Sequence, residues 1–149
     1  MRLSKNTRRL YADFFEGMGL CIEKDFPTVH IYSRFGARIV TGILLVDGIT
    51  LGRAIFVHPR FVRRSSTGRL VISKQLLAHE IVHVLQYANE GTAVFLSNYI
   101  SSFWRQFRGR KKWSAKSWYE AYLAIPHEIE AREFAARFKP WLKNRERIY

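Results

Sequence analysis

The first apolar pattern in the chain has a four-residue spacing: Leu10, Phe14 and Met18, with Tyr11 and Phe15 beside them, between Thr7 and Leu20. That spacing predicts an amphipathic helix ended near Gly17 and Gly19. From Pro27 to Pro59 the pattern shortens to β-rich pieces, Val29 to Tyr32, Arg38 to Val46 and Ile49 to Val57. Asp47-Gly48 falls between the last two, and Asp-Gly between apolar runs predicts a hairpin there. Arg60 to Arg69 is basic and holds Ser65, Ser66, Thr67 and Gly68, the composition of a solvated loop.

The strongest helical signal runs from Lys74 to Asn89, with Leu77, Ile81, Val84, Leu85 and Ala88 on one stripe, Ser73 placed to cap it and Gly91 just past its end. Leu76, Val82 and Tyr87 carry apolar character around most of the circumference, which predicts a buried helix. An aromatic helix is expected from Thr92 to about Phe107, then a basic surface loop from Arg108 to Lys116. Pro126 opens the last helix, whose stripe is Ala131, Phe134, Ala135, Phe138 and Leu142. No internal repeat interrupts this order, and 149 residues at 48% hydrophobic content suit one domain, 1–149, with a real core.

Composition narrows the chemistry. A single cysteine, Cys21, excludes a disulfide framework and any zinc site built from several thiolates. Asp13 and Glu16 interrupt the apolar stretch that a cleaved signal peptide needs after Arg2, Lys5, Arg8 and Arg9, and the longest apolar run, Ile39 to Val46, falls short of a membrane span. A cytoplasmic protein, with export open only by a route independent of a signal peptide, is the expectation. The formal charge of +13 favours polyanions such as nucleic acid or anionic lipid, without naming a partner.

His79-Glu80-Ile81-Val82-His83 is the HExxH pattern. Residues i and i+4 sit one turn apart on the same helical face, so two imidazoles there reach one ion. Both histidines lie opposite the apolar stripe of a helix that is buried nearly all round, and a buried polar pair needs partners. Zinc is such a partner, leaving one coordination position for water when three protein ligands are used, and Glu80 is placed to take a proton from that water.

A third ligand at the extended HExxHxxGxxH spacing is excluded, because Gln86 and Asn89 stand where Gly and His are required. Further along, Pro126-His127-Glu128-Ile129-Glu130-Ala131 brings a His and two carboxylates to a helix start. On the helical wheel Glu128 and His127 both lie near the apolar stripe and Glu130 points further aside, so the wheel leaves Glu128 and His127 open.

The run Leu77 to Tyr87, taken with Pro126 to Ala131, resembles the gluzincins, in particular the minimal zincin domains of bacterial core proteins associated with contractile injection systems. Gly48 to Val57 is similar as well, and the likeness covers roughly Arg38 to Ala135. The resemblance implies an α+β zincin-like fold, a small twisted sheet beside the HExxH helix with further C-terminal helices. It implies one zinc held by His79, His83 and Glu128, Glu80 as general base, and Ala131 as the small residue that lets helices approach. Arg132 stands where many gluzincins have an Asp that orients a zinc-binding histidine, which leaves that support unidentified.

The reaction so implied is hydrolysis of a peptide or protein substrate by activated water. An extended substrate is expected to add to the Ile49 to Val57 strand, with an oxyanion donor among Tyr119, Tyr122, His127 and Arg132. Two other readings stand beside it. A zincin-like domain that is catalytically silent would serve a larger assembly. A cationic module would bind a polyanion through its basic residues and the aromatics Phe103, Trp104, Phe107, Trp113 and Trp118.

Overall fold

The computed structural model describes residues 2–20, 26–33, 37–38, 47–64, 66, 70–110 and 113–148. Ser4 opens the first helix, α1 (Lys5–Gly17), its hydroxyl accepting from the Thr7 amide at 3.1 Å. That bond satisfies an amide the helix itself leaves unpaired. Tyr11, Phe14 and Phe15 form its buried face, while Leu10 and Met18 of the expected stripe pack at the margin of the core.

Strands β1 (His30–Tyr32), β2 (Gly48–Leu51) and β3 (Ala54–Val57) form a sheet ordered β1-β3-β2, with β3 parallel to β1 and antiparallel to β2. The stretch Ile49 to Val57, expected as one strand, is therefore most of a hairpin. Leu51 pairs with Ala54, leaving Gly52 and Arg53 as a two-residue turn in which Gly52 has φ +58°. Short hairpin turns need positive φ, which glycine adopts without strain. A turn thus lies at Gly52-Arg53, inside the stretch expected as one strand, while all but Arg38 of the first strand of the hairpin expected at Asp47-Gly48 lies outside the described residues. Of the strand expected from Arg38 to Val46, Arg38 is helical together with Ala37, and 39–46 lie outside the described residues.

The basic stretch from Arg60, expected as loop, is partly structured. After a 3₁₀ turn (Pro59–Phe61), β4 (Val62–Arg64) pairs antiparallel with β5 (Leu70–Ile72), while 65 and 67–69 lie outside the described residues. Phe61 and Val62 pack on the core, and that packing outweighs the basic composition.

Helix α2 (Lys74–Glu90) starts at Ser73, whose hydroxyl accepts from the Leu76 amide, and ends at Gly91 with φ +81°. Helix α3 (Thr92–Arg108) follows directly. Helix α4 (Ala115–Leu123), capped by Ser114, occupies a segment to which the apolar pattern assigned no element and takes in the last two residues of the expected basic loop. Helix α5 (Pro126–Ile148) opens at Pro126. The architecture is mixed α+β, with sheets of three and two strands among the described residues.

The most extensive contact between elements joins α2 to α5. Ala78, Ile81 and Ala131 are fully buried in the core, where small side chains let helix axes come close. Phe138 of α5 sits 4.9 Å, centroid to centroid, from both Tyr11 and Phe14, fastening α1 to the same core. Among the described residues no helix is long and apolar enough to cross a membrane.

Candidate metal centre

His79 and His83 project from one face of α2, and their Nε2 atoms stand 3.2 Å apart. Glu128, in the first turn of α5, closes the triangle: its Oε1 is 3.2 Å from His83 Nε2 and its Oε2 is 3.2 Å from His79 Nε2. The three residues form a cluster able to hold a metal ion, their donor atoms lying within 4.8 Å of one another. Glu128 is buried, and its Oε2, 3.2 Å from His79 Nε2, has no hydrogen bond assigned to it. An unpaired buried carboxylate oxygen is costly, and a cation between the three groups removes the cost.

The neighbouring candidates are engaged elsewhere. His127 Nε2 meets Glu90 Oε1 at 2.7 Å, and Glu130 Oε2 accepts from Gln86 Nε2 at 2.7 Å. Gln86 is the support that Arg132 in place of Asp left unidentified. Its amide nitrogen also donates to the His127 carbonyl at 3.2 Å, so its oxygen is the atom facing His83 Nδ1 at 2.8 Å. An amide oxygen only accepts, which assigns the proton to Nδ1 and turns the Nε2 lone pair toward the cluster.

Burial works against a charged His83, but the hydrogen bond and charge of Glu128 outweigh it and raise its pKa. Burial likewise opposes a charged Glu128, and the two imidazoles override it and hold the carboxyl well below the usual carboxylate range. Both shifts express one attraction between a carboxylate and a site that favours positive charge.

Glu80 faces differently. It is buried, and burial raises its pKa against the pull of His83, His79 and a hydrogen bond from Thr50. Thr50 Oγ1 donates to Glu80 Oε2 at 2.8 Å, and a Cβ on Gly48 would lie 2.4 Å from Glu80 Oε1. Strand β2 therefore positions Glu80 by one hydrogen bond and by one missing side chain.

The residues missed from the sequence are Thr50, Gln86 and Tyr99. The Tyr99 hydroxyl donates to Glu128 Oε1 at 2.7 Å, and burial followed by the Glu128 charge pushes its pKa far up, keeping it protonated. Its position one turn after the buried Phe95 was the available signal. Of the expected oxyanion donors, Tyr122 lines the site, Tyr119 is mostly exposed, His127 is paired with Glu90, and Arg132 donates to the Leu123 carbonyl.

Two cavities meet at the cluster. One of about 250 Å³ is bounded by β2, α3 and Trp118, with an almost wholly apolar wall. The other, about 440 Å³, is more polar and includes Asp47, Gln75 and Arg132. Gly48, His79, Glu80 and Tyr122 line both.

A family model described as the eCIS core domain matches residues 9–91, more than half of the chain. The match starts ahead of Arg38 and takes in His79, Glu80 and His83, but ends before Glu128, so the third donor rests on the geometry above. No curated protein and no solved structure matches. The chain belongs to the eCIS core domain family, which links it to the core of a contractile injection system.

Proposed function

We propose that this chain is a zinc-dependent metallopeptidase of a contractile injection system, with His79, His83 and Glu128 as metal ligands and Glu80 as general base. The observation that carries the reading is the meeting of three donor groups: the two Nε2 atoms stand 3.2 Å apart, and each lies 3.2 Å from one oxygen of Glu128, Oε2 for His79 and Oε1 for His83. Tetrahedral zinc with bonds of roughly 2.0–2.1 Å to nitrogen and oxygen separates its ligands by about 3.3 Å. Two imidazoles and one carboxylate also leave a fourth position open, as hydrolytic zinc sites do.

When bound, zinc would supply Lewis-acid polarisation and a water acidic enough to react near neutral pH. Glu80, next to the first ligand and steadied by Thr50, accepts the proton of the attacking water and returns it to the departing amide nitrogen. Tyr122, on the wall shared by both cavities and held protonated by its burial and by the Glu128 charge, is the donor assigned to the developing oxyanion. Strand β2 is one of the two outer strands of the described sheet and lines the apolar cavity, where an extended peptide can pair with it.

Metal analysis combined with a casein or self-cleavage assay tests the reading. The wild-type chain is expected to carry one zinc and to cleave. Glu80→Gln should keep the zinc and lose cleavage, whereas His79→Ala and Glu128→Ala should lose both. Zinc without any cleavage in the wild type would overturn the peptidase and leave a silent domain that serves the assembly. A wild-type chain that takes up no zinc would overturn the metal site as well.

A further inference from the structure

From Thr92 to Tyr119 the chain has no Asp or Glu, six Lys or Arg, and three of its four tryptophans. Helices α3 and α4 pack through Phe103, Phe107 and Trp118, with the Phe103 and Trp118 rings 4.4 Å apart. This packing leaves large apolar groups in water: Ile100 is 52% exposed, Trp104 40% and Trp113 73%. Trp113, between the two helices, has its ring centroid 5.0 Å from that of Phe107, the two planes tilted by 52°. Arg105 and Arg108 border a shallow depression together with Trp104, and Lys116 is also exposed. Ile100 and Trp104 belong at the same time to the wall of the apolar cavity that reaches the metal cluster.

Three chemistries therefore share one surface: aliphatic groups, indoles and cations, of which Arg110 and Lys116 pair with Glu120 while Arg105 and Arg108 border the depression. Nucleic acid would use the indoles and the cations but gains nothing from Ile100 or the half-exposed Val94. An anionic bilayer uses all three, with aliphatic groups at the acyl boundary, indoles at headgroup depth and Arg or Lys on the phosphates. We propose that the α3–α4 hairpin docks on an anionic lipid surface, seating Ile100, Trp104 and Trp113 in the interface. The mouth of the apolar cavity then faces the membrane. The docking does not depend on zinc or on hydrolysis.

A net charge of +13 attracts any polyanion, so the test turns on substitutions that leave charge unchanged. The full chain is sedimented with phosphatidylcholine vesicles, with and without phosphatidylglycerol, while tryptophan emission is followed. Trp113→Ala and Ile100→Ser alter exposed positions, and circular dichroism checks that each variant is folded. Expected are binding to the anionic vesicles alone, a blue shift in emission, and about tenfold weaker binding in each variant. Lys139→Ser, on α5, should change binding far less. The proposal is overturned by absence of binding, by binding that salt abolishes and that both variants retain in full, or by single-stranded DNA that displaces the chain from vesicles and binds both variants as well as wild type.

Discussion

Gly48 lacks a side chain, and Glu80 occupies the room that this leaves. In the sequence, Asp47-Gly48 has the form of a hairpin turn; in the fold, Gly48 is a strand residue whose added Cβ would lie 2.4 Å from Glu80 Oε1. Glu80 cannot retreat without straining its 2.8 Å bond from Thr50, so Gly48→Ala displaces the Glu80 carboxylate, the proposed base, rather than the strand. The expected result is a drop of roughly 100-fold in kcat/KM, as for a displacement on the order of 1 Å at the reacting centre, with zinc content unchanged. Metal analysis beside peptide hydrolysis checks it, and loss of zinc in parallel with activity would contradict this role for Gly48. Glu80 itself was legible as a candidate from its place between two histidines. Its surroundings were not, because Thr50 and Gly48 meet it from a different element.

At the scale of elements, α2 was legible from one end to the other: Ser73, the apolar stripe, both histidines and Gly91 all express a single helical period. The hairpin turn at Gly52-Arg53 was missed because Ile49 to Val57 reads as one apolar run, and only the pairing of Leu51 with Ala54 divides it in two. Gln86 shows how two helices share one task. It lies in α2, yet its orientation comes from Glu130 and the His127 carbonyl of α5, and through it α5 fixes the ring of His83. Gln86→Leu removes that bridge while keeping an apolar volume in the core. Zinc affinity should fall about 10- to 100-fold, as when other partners of ligating histidines are removed. Competition with a chromophoric chelator measures the loss, and an unchanged affinity would show that His83 holds its tautomer without help.

For the whole molecule, the candidate metal centre joins helices far apart in the chain, with His79 and His83 on α2 and Glu128 on α5. An ion that binds only this folded arrangement adds stability by mass action, about 2.7 kcal/mol at a hundredfold excess over Kd. For a chain of this size that corresponds to roughly 5–10 °C in Tm. Thermal unfolding with and without a chelator should show the shift in wild type and none in Glu128→Ala. By itself the sequence determined the helices with strong periodicity, the caps, the excess of cations and the pair His79 and His83 with Glu80 between them, since each depends on neighbours within a turn or two. Helical position left His127 and Glu128 open as the third donor, and resemblance alone favoured Glu128. Tertiary structure decided that Glu128 meets the histidines while His127 turns to Glu90 and Glu130 to Gln86. It also brought in Tyr99 and put the turn at Gly52-Arg53. These outcomes follow from how α5 and the sheet dock on α2, and docking sums many side-chain contacts between distant segments, which no local pattern records.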